Sequence, residues 1–556
     1  MGSAKWPLLT SLLESRRRAT DSAAARNPSM DAGRLCRTWG FGLGLFFAAP
    51  LGYLVYENVR LRSDILDILG VARTWGPLGN SLLLAASVSL AAMVAGTALA
   101  WATVRLDLPG RRLWAALAPL PLVFPTFVGA TAFIALGARG GLAEQILSPL
   151  GVGALPRLQG FWAAWGVLTL FTYPYVYLPT RARLRHLDPA YEEAARVLGR
   201  GRRAVFATVT LPAILPATSA GGLLVCLYTL SDFGAVELLR YETLTRSIYA
   251  NRLFDRPTSV THGLLLGIVA VGVVMVERWL ARRRAGGFAA TSDRPPPLAP
   301  LGWWRWPVCA AVVAFLLLAL VAPLATLGYW AGRGIANPGR RVGAFALDGG
   351  GIATSAASTV AVSAVAATVT VGVMLPLAWL LVRRPSRSAS ASNLLVTAGF
   401  ALPGIVVALA LVFWALQVPF ATVIYQTLPL LIVGYVLLFG AQAANAARAA
   451  VGAVPTRLSE GARTLGARRW RRLRSVELPL MAPGLLAAGG LVFLSVMKEL
   501  PLTLLMRPTN LPMLSADIWD STESLFLAQA GLESLVLVGA SGLLTWLLVL
   551  RRSEFA

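Results

Sequence analysis

The chain has 556 residues, of which 56% are hydrophobic and 14% charged, with 50 Lys/Arg against 26 Asp/Glu for a net charge of +24. A soluble protein of this length would carry a more charged surface. The mean hydropathy of +0.65 points instead to a polytopic membrane protein built from apolar stretches near the ~20 residues a helix needs to cross a bilayer.

Residues 1–37 contain Arg16, Arg17, Arg18, Arg26, Arg34 and Arg37. That is too long for the positive region of a signal peptide, so the segment is expected to persist as a basic cytoplasmic tail. Twelve spans are predicted, at 38–57, 79–104, 113–137, 161–180, 213–231, 261–281, 306–328, 352–382, 393–416, 426–446, 480–497 and 530–551. With the N-terminus inside, 36 Lys/Arg and 12 Asp/Glu fall on the inner side, against 14 and 14 outside. The inner face is then 36 − 12 = +24 and the outer face 14 − 14 = 0, as the positive-inside rule requires. A basic nucleic-acid-binding protein would not alternate its charge from loop to loop; the lipid bilayer is the partner this pattern implies.

Cys36, Cys226 and Cys309 are scattered, with no disulfide or metal-knuckle spacing. His186 begins an inner loop and His262 begins the sixth span on the outer side, both read as interfacial residues. No Cys/His/carboxylate cluster has metal-site spacing. There is no GxxxxGK[ST] sequence, hence no phosphate-cradling loop and no intrinsic ATPase. The chain is not expected to be an enzyme or to hold a cofactor.

The loop after the fourth predicted span reads EAARVLGRGRRAVFATVTLP over 193–212, and the loop after the tenth reads EGARTLGARRWRRLRSVELP over 460–479. Glu193, Ala194, Ala195, Gly199, Leu211 and Pro212 recur as Glu460, Gly461, Ala462, Gly466, Leu478 and Pro479, at a constant offset of 267. Asp188-Pro189 and Pro455 are helix-start signals, and Gly199 and Gly466 can supply the left-handed residue that ends a helix. Each loop is expected to be a short helix, a turn and an arginine-rich second helix on the cytoplasmic face. Gly461, where the first copy has Ala194, weakens the second helix by about 1 kcal/mol.

The duplication extends further. Trp101 and Arg105 match Trp379 and Arg383 at an offset of 278, and Asp232 and Arg240 match Glu499 and Arg507 at 267. Between the copies, residues 282–305 carry Arg282, Arg283 and Arg284, then Pro295, Pro296 and Pro297, and read as a stiffened linker. The expected organisation is a tail (1–37), a first half (38–281, core about 79–281), the linker, and a second half (306–556, core about 352–551). Six spans on each side make the repeat parallel rather than inverted. Asp232 and Glu499 sit where the fifth and eleventh spans leave the membrane. Facing each other near an axis they could attract a cation; alternatively each pairs with its own Arg240 or Arg507, or Lys498 neutralises Glu499.

The duplicated loop resembles the EAA loop of ABC-importer permeases, and two copies imply two fused permease halves in the all-α type I importer fold. The stretches SDFGAVELLRYETLTRSIY (231–249) and MKELPLTLLMRPTNL (497–511) resemble those of fused ferric-iron permeases, with thiamine-type permeases as near relatives. The resemblance implies two ATPase subunits on the loops around Gly199 and Gly466 and a periplasmic solute-binding protein on the opposite face. The bacterial inner membrane is the implied location, with both termini cytoplasmic. A secondary transporter is the rival reading, because many of those also have two six-span halves. Such carriers keep coupling charges within their spans, whereas the mid-span segments here are almost free of them.

Overall fold

The computed structural model describes residues 28–61, 67–68, 70, 72–151, 156–284, 298–337, 347–400, 402–419, 421–545 and 547. The first 27 residues of the expected tail and most of the expected linker lie outside them. The regular secondary structure of the described residues is all helical, apart from one isolated bridge between Leu106 and Ala299.

The order begins with α1 (Pro28–Arg60), α2 (Ala72–Arg105), α3 (Arg111–Leu117), α4 (Thr126–Leu136) and α5 (Leu142–Leu147). Next come α6 (Phe161–Thr172), α7 (Pro174–Arg185), α8 (Pro189–Val197), α9 (Arg202–Val205) and α10 (Leu211–Ser231), then α11 (Gly234–Leu238), α12 (Leu244–Asn251) and α13 (Arg256–Arg284). Beyond the linker are α14 (Arg305–Leu316), α15 (Ala322–Ile335), α16 (Gly349–Arg383), α17 (Arg387–Phe400), α18 (Gly404–Gln417), α19 (Leu428–Gly452) and α20 (Thr456–Thr464). The chain closes with α21 (Arg469–Arg472), α22 (Leu478–Met497), α23 (Pro501–Met506), α24 (Leu514–Glu523) and α25 (Leu527–Thr545).

Nine helices among the described residues are long and apolar enough to cross a membrane, and two bent pairs bring the number to eleven. The predicted spans 113–137 and 393–416 are those pairs, turning by 97° and 98°. The cause is local. Pro125 (φ −61°, ψ 145°) and Pro403 (φ −59°, ψ 146°) stand at the starts of α4 and α18 in nearly identical extended conformations. Proline lacks the N–H a continuing helix needs, and it pushes the preceding residue out of the helical region. The predicted span 161–180 also differs: it is divided into α6 and α7, 12 residues each, at Tyr173. Pro174, placed just after that break, again removes a helical donor.

The first span of each half of the sequence, Thr38–Arg60 and Gly302–Ile335, packs on helices of the other half. α1 lies against α16, α17 and α18, and touches α13 of its own half. Phe47 is buried there in a slot formed by Gly399 and Gly440; a Cβ on Gly440 would meet its ring at 2.2 Å. Trp39 Nε1 donates to Val373 O at 3.1 Å, and Glu57 takes an ion pair from Arg256 at 2.9 Å and a hydrogen bond from Gln417 at 3.3 Å. Conversely, α15 packs on α4 as well as on α25, with Trp330 Nε1 donating to Ala135 O at 3.0 Å. Small residues permit these close approaches, as they do between helices in lipid.

Candidate functional site

The two duplicated loops fold alike. α8 and α20 each have nine residues. Asp188 caps the first by accepting from Ala190 N at 3.0 Å, while the second starts from Pro455 in an extended conformation (φ −60°, ψ 133°). Gly199 (φ 80°) and Gly466 (φ 78°) end them in the left-handed conformation. Gly199 N donates to Arg196 O at 2.9 Å and Arg200 N to Ala195 O at 3.1 Å; Gly466 N donates to Arg463 O at 3.0 Å and Ala467 N to Ala462 O at 3.0 Å. This is the paired 6→1 and 5→2 bonding of a Schellman cap, present twice. A short helix follows in each copy, and then a π-helical turn, Phe206–Thr210 and Leu473–Glu477, which leads into α10 and α22. Leu211-Pro212 and Leu478-Pro479 are therefore the first residues of those long helices.

The predicted loop residues divide by exposure. Glu193, Ala194, Gly199, Glu460 and Gly466 are exposed, Ala195 is buried and Ala462 half-buried. Next to the glycines stand large apolar side chains open to their surroundings: Val197 is 87% exposed, Leu198 81% and Leu465 89%. Apolar tips of this kind on a charged loop are what a partner's groove would cover.

The structure adds residues that the repeat alone did not single out. Glu192, adjacent to Glu193, is buried against Arg105 at the end of α2. Their oxygen and nitrogen atoms lie 3.1 Å apart, with side chains 5% and 3% exposed. Thr210 Oγ1 donates to the same carboxylate at 2.8 Å. Arg383, which matches Arg105, instead donates to Val451 O at 3.3 Å and Val454 O at 2.7 Å, at the end of α19.

The other predicted pair, Asp232 and Glu499, is also placed alike. Both are buried and follow the ends of α10 and α22. Asp232 accepts from Ala235 N at 3.0 Å, at the start of α11, and from the hydroxyl of Thr126, the first residue of α4. Glu499 accepts from Leu502 N at 3.0 Å and Thr503 N at 3.0 Å, at the start of α23. Its Oε1 lies so close to the first residue of α18 that a Cβ on Gly404 would meet it at 2.5 Å. Each carboxylate thus bonds to one helix N-terminus and lies against the start of a second helix, where the partial positive charge of the helix ends stabilises it.

The suggested pairings within each loop do not form. Arg507 pairs with Asp517 and Asp520, both at 2.8 Å. Arg240 is an exposed residue with φ 53° at the end of α11, where its N–H donates to Glu237 O at 3.0 Å. Lys498 Nζ donates across the molecule to Leu122 O at 3.0 Å. The two turns do meet: a Cβ on Gly234 would lie 2.8 Å from Leu500 Cδ2, and Phe233 stacks on Trp519 with centroids 5.2 Å apart. His262 is buried with Nδ1 2.9 Å from Ser247 Oγ. Among the described residues no three His, Cys, Asp or Glu side chains gather as a metal site.

Residues 89–327 and 369–552 match the family described as binding-protein-dependent transport system inner membrane component. The Fe(3+)-transport system permease protein FbpB 2 of Haemophilus influenzae is 28% identical over 515 residues, covering 91% of this chain and 96% of that protein. The molybdenum transport system permease protein ModB of Escherichia coli is 31% identical over 224 residues, 38% of this chain and 96% of its own length. A putative 2-aminoethylphosphonate transport system permease protein, PhnU of Salmonella choleraesuis, is 30% identical over 256 residues, 43% of this chain and 89% of its own length. These matches set the secondary-transporter reading aside. The chain belongs to the binding-protein-dependent inner-membrane permease family, as a fused two-domain, non-catalytic ABC-importer subunit that resembles the ferric-iron permeases.

Proposed function

We propose that this permease carries ferric iron inward between two six-span halves, twelve spans in all, when two partner ATPases act on the loops around Gly199 and Gly466. The observation that carries this reading is the loop itself, folded twice into the same helix, Schellman cap and π turn. A helix of nine residues closed by a fixed cap is a rigid knob, suited to pass force from a soluble motor to α10 and α22. Glu193 and Glu460, exposed on the knobs, are positioned to meet basic groups of the motors, and Val197, Leu198 and Leu465 to fill apolar grooves. In this reading both termini and the loops are cytoplasmic, and a periplasmic solute-binding protein docks on the far face. The halves run over 38–281 and 306–556, joined by a linker at 282–305.

Iron is favoured because the relative named for it matches 91% of the chain, whereas those named for molybdenum and 2-aminoethylphosphonate match 38% and 43%. Thiamine or another small solute in the same class of importer is the second reading. A pore for any ion works best without a deep binding well, and the capping bonds of Asp232 and Glu499 leave those carboxylates as structural ends rather than cation ligands. The test is ATPase activity of the reconstituted complex with ferric-loaded and thiamine-loaded binding proteins. Stimulation by the ferric form alone supports iron. Stimulation only by another loaded protein keeps the importer and discards the iron.

A further inference from the structure

The π turn and the docking helix are tied together in both halves, but by opposite chemistry. In the first half the acid is on the docking helix and the hydroxyl on the π turn: Thr210 Oγ1 donates to Glu192 Oε1 at 2.8 Å. In the second the hydroxyl is on the docking helix and the acid on the π turn, with Ser459 Oγ donating to Glu477 Oε1. The positions correspond at the loop offset of 267, Glu192 to Ser459 and Thr210 to Glu477. The two residues have exchanged roles while the bond between the same two points of the fold is kept. Each acid has a cation of its own half: Arg105 for Glu192 at 3.1 Å and Arg472 for Glu477 at 3.1 Å.

We propose that Glu192–Thr210 and Ser459–Glu477 are one latch, present in each half in mirrored form, that makes the docking helix and the root of the long span behind it move as one body. The latch rests on the reading of α8 and α20 as ATPase-docking helices. A π turn has looser backbone bonding than an α-helix and commonly marks a functional site. Left free, it would bend and absorb the displacement of the docking helix. The side-chain bond bridges the turn from docking helix to turn end, so displacement passes into α10 or α22. These four are positioning residues, acting through the helices they join.

The experiment uses the full chain in complex with its ATPase in proteoliposomes, reading substrate transported per ATP hydrolysed beside the thermal midpoint of the complex. Glu477→Thr removes the second-half acid and is expected to lower transport per ATP by about tenfold. Adding Ser459→Glu places the acid where the first half has it, opposite a hydroxyl on the π turn, and is expected to restore the ratio to within about twofold. Thr210→Val, which leaves the Glu192–Arg105 pair in place, is the second arm and is expected to uncouple in the same way. An unchanged ratio in the single variants, or a lowered midpoint with intact coupling, overturns the latch. So does a double variant that assembles with its ATPase yet stays uncoupled. Absence of a bound ATPase in the unaltered complex overturns the docking reading itself, and the latch with it.

Discussion

At the scale of the residue, the loops depend on two glycines whose backbone is left-handed, at φ 80° and 78°. A side chain there costs roughly 1–2 kcal/mol, and Asn is the residue that best tolerates the conformation after Gly. Gly466→Val is therefore expected to cost the purified complex about half of its bound ATPase, the share held by the second loop, while Gly466→Asn retains most of it; equal losses would count against a conformational role. The buried carboxylates give a second prediction. As helix caps, Asp232 and Glu499 can be replaced by their amides, because an amide oxygen accepts the same N–H bonds. Asp232→Asn is expected to keep uptake within about twofold, whereas Asp232→Ala destabilises the fold by about 1 kcal/mol. An uptake loss with Asn as large as with Ala would reinstate the carboxylate as a cation site. The glycines were legible in the sequence because a repeat with fixed spacing exposes them. The Glu192 contacts were not: the latch exchanges acid and hydroxyl between copies, so position-by-position comparison sees only a mismatch at 192/459 and another at 210/477.

At the scale of the element, ten of the twelve predicted segments correspond to long helices or to bent pairs that differ from expectation only in direction, as hydropathy alone should allow. An eleventh, the last, is described as far as Thr545. Hydropathy reports how apolar a segment is and nothing about its axis, so the turns of 97° and 98° could be read only from Pro125 and Pro403. The division at Tyr173 has the same origin in Pro174. Packing between elements was hidden for another reason: no local pattern records that Phe47 belongs between Gly399 and Gly440. That slot predicts a specific coupling. Gly440→Val forces Phe47 aside and is expected to cost about 1–3 kcal/mol, and combining it with Phe47→Leu should recover part of the loss. Thermal unfolding of the single and double variants measures the interaction directly, and strictly additive losses would show that α1 is not seated there.

At the scale of the whole molecule, each half lends its first span to the other, and each presents one knob of the same design. The two halves are nevertheless not identical. The first knob is fastened through Arg105 to α2, while in the second half the matching Arg383 fastens the end of α19. Both arrangements hold a duplicated loop to the long helices, and each knob has its own latch. Two docking loops on one chain therefore require two motors. Native mass spectrometry of the complex purified from membranes with its ATPase is the most direct test. Two ATPase copies per permease chain are expected, falling to one when Gly466→Val is introduced and to one when Gly199→Val is introduced. A complex with no ATPase, or one whose stoichiometry ignores both substitutions, would contradict the claim that the duplicated loops are the docking sites.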